Sequence, residues 1–321
     1  MKVLICGVNG QDGSFLARLL LDKGYEVWGT SRDVQASPLS NLAALSIEKR
    51  INLISMAPND FRSVLTAVDN SEPDELYYLS GQSSVGLSFE QPAETLESMV
   101  TGVLNILEVI RLRRKSVRFY NAGSSECFGD TGVTPANELT PFYPRSPYAV
   151  AKTSAHWLVT NYRESYGLYA CNGILFNHES TLRPKRFVTQ KIVQAAKRIA
   201  QGSGERLVLG RLDIRRDWGW APEYVVAMWR MLQQERPEDY VIATGESNTL
   251  ADFVAAAFDL NGIDWQAHVD ISTDFYRPTD IDRSVGDPGK AMEHLAWSAR
   301  YRMRDVVRMM NGNTVLTAAT E

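Results

Sequence analysis

The sequence predicts an α/β fold: a doubly wound parallel sheet with a smaller C-terminal lobe. Two observations carry this. The apolar run Lys2-Val-Leu-Ile-Cys6 leads straight into Gly7, Gly10 and Gly13, then into a helical pattern with Phe15, Leu16, Leu19 and Leu20 on one stripe. Beyond it, short apolar runs alternate with helical stretches through roughly the first half of the chain. That alternation is the rhythm of parallel strands joined by crossover helices.

The first strand, its glycine turn and a helix over residues 14–21 form the entry of a Rossmann-type sheet. Glycines there let the backbone approach a pyrophosphate, which sits at the helix N-terminus where free N–H groups point outward. A tight turn without a ligand is the plainer alternative. Residues 25–29 read as the second strand, 51–55 as the third and 75–79 as the fourth, which ends in Ser80-Gly-Gln-Ser-Ser84. An amphipathic helix is expected over 95–113, with Leu96, Val100, Val103, Leu104, Leu107 and Ile110 inward. Residues 117–120 read as the next strand, and Ser124 lies just past its end. Open parallel sheets bind ligands beyond their carboxyl ends, so Gly7, Gly81 and Ser124 are expected to cluster. The helix carrying Tyr148 is expected to run to residue 166, followed by a strand over 170–176. Between 184 and 222, Pro, Gly and Arg are enriched and the alternation loosens, which predicts an irregular lobe after the sheet. The expected division is 1–174 for the dinucleotide-binding domain, with returning segments at 211–245, and 175–210 with 246–310 for a substrate-binding lobe. The small polar residues of 311–321 are expected to fray.

Composition narrows the class. The 321 residues suffice for a full core, and 44% apolar with 22% charged residues is ordinary for a globular protein. A net charge of −4 gives no basic field for nucleic acid or anionic lipid. Cys6, Cys127 and Cys171 stand far apart, and the four histidines lack ligand spacing. No metal site is expected, and reduced thiols in a cytoplasmic protein are. No apolar run approaches membrane-spanning length, and the hydrophobic start is too short for a signal peptide.

Four side chains carry candidate chemistry: Ser124, Glu126, Tyr148 and Lys152. A tyrosine four residues before a lysine on one helix shares its face. The ammonium is expected to favour the phenolate, readying the tyrosine to exchange a proton with a sugar hydroxyl, which Ser124 would hold. Alcohol oxidation needs no second acid–base group; removing water from a sugar does, and Glu126 supplies one. Taken singly, Tyr-x-x-x-Lys also describes an ordinary helix face, and Ser-Ser-Glu a helix cap.

Taken together, Gly7-Val-Asn-Gly-Gln-Asp-Gly13, Ser124-Ser-Glu126, Pro141-Phe-Tyr-Pro-Arg-Ser-Pro-Tyr148 and Asn172-Gly-Ile-Leu-Phe-Asn-His-Glu-Ser180 resemble the GDP-mannose 4,6-dehydratases. These belong to the extended short-chain dehydrogenase/reductases. Phe187-Val-Thr, Arg216-Asp-Trp-Gly219, Tyr240-Val-Ile-Ala-Thr-Gly245 and Phe275-Tyr-Arg-Pro-Thr-Asp280 extend the match to about residues 1–310. The resemblance implies that Tyr148 takes the O4 proton while hydride leaves C4, and that Lys152 supports it. Glu126 then moves the C5 proton to the departing 6-hydroxyl, and the hydride returns at C6. It implies a nicotinamide cofactor held by Gly7, Asn9, Gly10, Gln11, Asp12 and Gly13, by Leu79, Ser80, Gly81 and Gln82, and by Arg32, Tyr148, Lys152, His178 and Arg183. A nucleotide sugar, GDP-mannose by resemblance, would meet Ser84, Asn177, Val188, Arg216, Arg277 and Asp280. Read alone, Arg216 is equally a partner of the adjacent Asp217, His178 reads as a structural histidine, and Trp218 and Trp220 read as core rather than as base-stacking residues.

Three positions depart from the family pattern. Ser124 stands where threonine is usual. Ser31-Arg32-Asp33 replaces a pair of arginines, so Arg32 favours NADP while Asp33 opposes it and NAD remains open. Arg211 replaces a common asparagine beside the nucleotide pocket, where it could alter substrate preference. The resemblance implies a homodimer or homotetramer, with the changed segment through residue 41 bearing on tetramer formation. Two alternatives stay open: a 4-epimerase or 4-ketoreductase, which needs no Glu126, and a non-catalytic NADP-binding regulatory protein.

Overall fold

The computed structural model describes residues 1–113 and 116–312. Its centre is a seven-stranded, wholly parallel sheet built from β1 (Lys2–Cys6), β2 (Glu26–Ser31), β3 (Asn52–Ser55), β4 (Glu75–Tyr78), β5 (Arg118–Ala122), β6 (Ala170–Leu175) and a last strand, Tyr240–Ile242. Across the sheet the order runs from Tyr240–Ile242 through β6, β5, β4, β1 and β2 to β3, each neighbour parallel. The winding direction reverses between β1 and β4, and ligands of such sheets bind at that reversal.

Successive strand residues feed opposite faces. Val3, Ile5, Tyr77 and Tyr120 pack with the helices Gln11–Asp22 and Ala221–Leu232. Leu4, Cys6, Leu76 and Phe119 pack with Phe61–Ser71, Gly102–Arg113 and Pro147–Tyr166. Both faces of β1 are therefore fully buried, which explains its unbroken apolar run.

Three expectations are corrected. The first helix starts at Gln11 rather than residue 14. Gly10 is its N-cap and Gly13 lies inside it, where a Cβ would stand 2.3 Å from the Gly7 carbonyl oxygen. Gly13 thus serves close packing rather than the turn. The helix expected over 95–113 starts at Pro92 and contains a π-helical turn, Glu97–Thr101, before Gly102–Arg113. The Ser98 carbonyl within that turn accepts the Tyr78 hydroxyl at 2.7 Å. The wider turn rotates the stripe, so Leu96 is exposed while Val103, Leu107 and Ile110 stay buried. A helix at Val85–Glu90, capped by Ser84, was not expected at all.

The third correction concerns 184–222, which is not irregular throughout. It contains the thirteen-residue helix Val188–Ala200. Ile192, Val193, Ala196 and Ile199 of that helix pack with Phe253, Val254 and Phe258 of Leu250–Asp259 and with Val306, Val307 and Met310 of Met303–Asn311, giving a second core. Asn311 closes that last helix and its side chain accepts from Asn261 at 3.2 Å; of the tail expected to fray, 313–321 lie outside the described residues. Among the described residues, no helix is long and apolar enough to cross a membrane and no residue group could hold a metal.

Candidate active site

Beyond β5 the chain turns at Gly123, whose N–H donates to the Gly173 carbonyl at 2.8 Å. Ser124 then caps the short 3-10 helix Ser125–Phe128, accepting the Glu126 N–H at 3.3 Å. The cap aims Glu126 onward, so the capping and site readings of this serine coincide. Tyr148 and Lys152 lie on Pro147–Tyr166, which Ser146 caps by accepting the Ala149 N–H at 3.1 Å, with Pro147 in the first turn.

These groups line one cavity of about 760 Å³, together with Asp12, Leu79, Ser84, Asn177, His178, Arg183, Val188, Arg216, Arg277 and Asp280. Burial pushes the Tyr148 phenol above its usual range; the Ser124 hydroxyl opposes this and the Glu126 charge adds to it. Burial outweighs every lowering influence on the phenol, so its net shift is upward. The Lys152 ammonium donates to the Ala122 carbonyl at 2.7 Å and stands 5.9 Å from the centre of the Tyr148 ring. Burial pulls Lys152 down to about 8, with the charges of Cys127 and Asp12 pulling the other way. Burial also raises Glu126, against the guanidiniums of Arg216 and Arg277 and with the carboxylate of Asp280.

Arg216 is paired, but not with its neighbour. It reaches the Asp280 carboxylate at 3.1 Å. Asp217 faces away, accepting from the Thr244 N–H at 3.0 Å, the Thr244 hydroxyl at 2.8 Å and the Gly245 N–H at 3.0 Å. Asp280 Oδ1 thus holds Arg216, and Asp280 itself lines the cavity. Trp218 and Trp220 are buried members of the second core. Arg211 lines the cavity with its guanidinium held by Asp213 and Asp282, 2.6 Å from each.

The other end of the site is a backbone turn between β1 and the first helix. Gly7 takes φ +83°, and a Cβ there would lie 3.1 Å from both the Leu79 carbonyl and the Ser80 N–H. The following helix has no side-chain cap, which leaves its first N–H groups for an anion. This backbone fits the diphosphate of a nicotinamide dinucleotide. Asp12 lies 2.9 Å from His178 Nε2, while His178 Nδ1 lies 2.7 Å from the Phe176 carbonyl oxygen. Both partners are acceptors, an arrangement that favours the doubly protonated imidazole. Burial lowers His178, but the charge and hydrogen bond of Asp12 outweigh it and the net shift is upward. His178 also stacks on Tyr224, with ring centres 4.6 Å apart.

Other expected cofactor contacts are partly spent on the fold. Gln11 donates to the His178 carbonyl at 3.1 Å and accepts the Ser180 hydroxyl at 2.8 Å. The Asn9 side chain accepts the Asn41 N–H at 3.2 Å, and the Gln82 amide donates to the Ser84 carbonyl at 2.8 Å. Gly7, Asn9, Gly10, Gln11, Gly13, Ser80, Gly81, Gln82 and Arg32 do not line the large cavity. Arg32 lies at the end of β2, 83% exposed, 3.5 Å from Glu94. Asp33 is folded into its own turn, accepting the N–H groups of Gln35 at 2.9 Å and Ala36 at 3.1 Å. The carboxylate opposing Arg32 is thus Glu94.

Sequence reasoning missed Glu179, buried, which accepts the Thr189 hydroxyl at 2.8 Å and lies 3.1 Å from Arg183 Nε. It also missed Lys191 and Phe275 on the cavity wall, with the ammonium 4.6 Å from the ring centre. Lys191 and Phe275 stand 84 positions apart, so no local spacing signalled that contact.

The family model for GDP-mannose 4,6 dehydratase matches residues 4–310. GDP-mannose 4,6 dehydratase 1 of Arabidopsis thaliana is 45% identical over 317 residues, covering 96% of this chain and 88% of the relative. GDP-mannose 4,6-dehydratase of Vibrio cholerae is 40% identical over 343 residues, covering 96% and 92%. Among solved structures, dTDP-glucose 4,6-dehydratase of Streptomyces venezuelae, with NAD bound, superposes with a TM-score of 0.87 at 22% identity, covering 97% of this chain and 96% of that one. A Pseudomonas aeruginosa protein called RMD, complexed with NADPH, gives 0.79 at 21% identity and covers 97% and 98%. At such identities the structural likeness speaks for the fold alone.

Proposed function

The chain belongs to the GDP-mannose 4,6-dehydratase family, and from that premise we propose that Tyr148, Ser124, Lys152 and Glu126 carry the conversion of GDP-mannose to GDP-4-keto-6-deoxy-mannose and water. The observation that carries this reading is the presence of Glu126 in one cavity with Tyr148 and Ser124. A 4-epimerase or 4-ketoreductase would keep the tyrosine, lysine and serine but has no use for the glutamate.

Ser124 holds the sugar O4 and Tyr148 takes its proton. A nicotinamide held at the turn over residues 7–13 would supply the hydride chemistry that the C4 and C6 carbons require. With C4 a ketone, the C5 proton is acidified; Glu126 removes it and delivers it to the 6-hydroxyl, which leaves as water. Burial of Glu126 raises its proton affinity toward working pH, as a group that must both take and give a proton requires. Lys152, fixed on the Ala122 carbonyl, keeps a positive charge on the nicotinamide side.

Gly7, Gly10, Gly13 and the first helix would hold the dinucleotide, and Arg32 would receive the 2′-phosphate of NADP, with NAD the second choice. Arg216 and Arg277 would meet the sugar nucleotide's diphosphate, which suits planar guanidinium forks. Asn177, Ser84 and Val188 would line the sugar and nucleoside positions. The proposed division keeps the sheet as the dinucleotide unit and the second core as the substrate lobe. A homodimer or homotetramer is proposed, with Val150 and Trp157, exposed on one helix, as the apolar contact. A cytoplasmic setting is proposed from the three free buried thiols.

The test is incubation with a panel of nucleotide sugars, following loss of water by mass spectrometry. Water lost from GDP-mannose supports the reading. A nucleotide-6-deoxy-4-ketohexose reduced at the expense of NADPH, with no dehydration of any sugar, would replace it with the ketoreductase.

A further inference from the structure

Tyr78 ends β4, and the chain then runs through Leu79, Ser80, Gly81 and Gln82 beside the Gly7 turn. Its hydroxyl donates to the Ser98 carbonyl at 2.7 Å. In a regular α-helix that carbonyl would accept the N–H four residues on, at Gly102. Here the Gly102 N–H donates to the Met99 carbonyl instead, and the phenol takes its place at Ser98. Gly102 must be glycine for this, because a Cβ there would run into the Tyr78 hydroxyl. The widened turn lays the buried Met99 side chain against two parts of the proposed site. On one side Met99 packs with Tyr148 and Ala151 of the helix Pro147–Tyr166 and with Val85. On the other it meets Gly81, where a Cβ would stand 3.0 Å from the Met99 Cγ. Two further bonds clasp that segment to the helix: the Gln82 N–H reaches the Ser98 hydroxyl at 3.4 Å, and the Gln82 side-chain amide donates to the Thr95 hydroxyl at 3.3 Å.

We propose that Met99 is a positioning residue: held by the π-helical turn that Tyr78 locks, it fixes Tyr148 relative to residues 79–82 and so sets how the phenol meets the sugar. This rests on the reading of Tyr148 as the group that takes the O4 proton. Oxidation at C4 needs a proton acceptor on the oxygen and a hydride acceptor on the carbon of one bond at the same moment. Tyr148 is the first, and residues 79–82 belong to the surface proposed to hold the dinucleotide that provides the second. The two stand on different elements, the long helix and the end of β4, and Met99 packs on both. Reacting groups displaced by about 1 Å lose about 10²-fold in rate, so a side chain that spaces them bears directly on turnover. An unbranched, polarisable methionine suits an irregular gap of this kind. The Tyr78 hydroxyl matters because it satisfies the carbonyl that the widened turn would otherwise leave without its helical partner.

Met99→Ala opens the gap and leaves Ser124, Glu126, Tyr148 and Lys152 unaltered. We expect kcat for GDP-mannose to fall by about 10–10²-fold, with KM close to that of the wild type. The deuterium effect on kcat for substrate labelled at C4 should rise, because breaking that bond becomes slower relative to the other steps. A smaller folded fraction would lower kcat and leave the isotope effect as it was. Calorimetric titration should show weakened NADP binding, since Gly81 loses its support, and unchanged GDP binding. Met99→Leu, similar in volume, should recover most of the rate. Tyr78→Phe loses only the hydroxyl and should move kcat and the isotope effect in the same directions; it carries the test if Met99→Ala does not fold. The double variant should be no worse than the more damaged single one, because both act through one contact. Unchanged kcat and isotope effect in Met99→Ala, strictly additive losses in the double variant, or equal loss of GDP and NADP binding each overturn the inference. A ketoreductase would use the same tyrosine, so the comparison is made on whichever reaction the wild type performs. A wild type that reduces a ketohexose and dehydrates no sugar removes the proposed function alone, whereas an active dehydratase indifferent to Met99→Ala removes the inference alone. A chain that catalyses neither reaction overturns both.

Discussion

Replacing Glu126 by glutamine keeps the size of the side chain but removes its ability to take a proton. General acid–base groups contribute about 10²–10⁴-fold, so turnover should fall by at least that order while GDP still binds. A near-native rate of water loss in Glu126→Gln would assign elimination elsewhere. The His178–Asp12 pair makes a prediction in pH. His178 is raised from 6.5, so its contribution is complete below 6.5 and is lost as pH rises through its folded value. Asp12, although burial alone would raise it, is lowered from 3.8 by His178, so its contribution is complete above 3.8 and is lost as pH falls through its folded value. Thermal denaturation of wild type against His178→Gln should therefore show the largest gap between pH 3.8 and 6.5 and a shrinking gap as pH rises further. Removing one partner of a buried ion pair costs about 3–5 kcal/mol, with the lower end expected here because Asp12 keeps some solvent. A gap independent of pH would mean that the pair is not ionic. Arg32→Ala should weaken NADP far more than NAD, read by calorimetric titration of each. Equal losses would mean that the arginine supports the loop without reading the 2′-phosphate. That the four candidate residues share one cavity was legible, because they sit at short local spacings. The partnerships were not: Asp12 meets His178 across 166 positions and Arg216 meets Asp280 across 64. Such distances leave no local pattern, which is why Arg216 was left between a ligand and the adjacent Asp217.

At the scale of elements, the glycine turn yields the sharpest test. Gly13→Ala would put a methyl 2.3 Å from the Gly7 carbonyl oxygen and 2.8 Å from the Val8 Cα, both backbone. Neither can swing aside as a side chain would, so the first helix must shift away from β1. Overpacking of this kind costs about 1–3 kcal/mol, and the shift widens the cradle that would receive the diphosphate. We expect a lower Tm and weakened dinucleotide binding, whereas unchanged values for both would show that the turn accommodates the methyl. The strands and long helices were readable from apolar period because burial on two faces or one stripe leaves that imprint. Two elements escaped for opposite reasons. The π-helical turn Glu97–Thr101 is shaped by a tertiary contact, the Tyr78 hydroxyl on the Ser98 carbonyl, which the local sequence does not encode. The helix Val188–Ala200 has a clear apolar stripe, but Pro184 before it and Gly202 and Gly204 after it drew the whole region into a loop reading.

For the molecule as a whole, the arrangement predicts a closed cycle. One cavity joins the groups beyond β5, the His178 pair by the dinucleotide turn, and the arginines of the second lobe. A sugar held between the lobes would thus react at C4, C5 and C6 without leaving. In the proposed reaction Tyr148 and Ser124 serve the first step and Glu126 the second; Ser124 and Glu126 follow the end of β5, and Tyr148 lies on the helix Pro147–Tyr166. If the ketone stays in place between these steps, the hydride taken from C4 must be the one returned to C6. GDP-mannose deuterated at C4 should therefore give product labelled at C6, with no exogenous reductant consumed and no reduced cofactor accumulating. Mass spectrometry of the product gives the label's presence and NMR its position. Loss of the label to solvent, or cofactor consumed in proportion to product, would break the cycle into separate half-reactions and transfer the site to the ketoreductase reading.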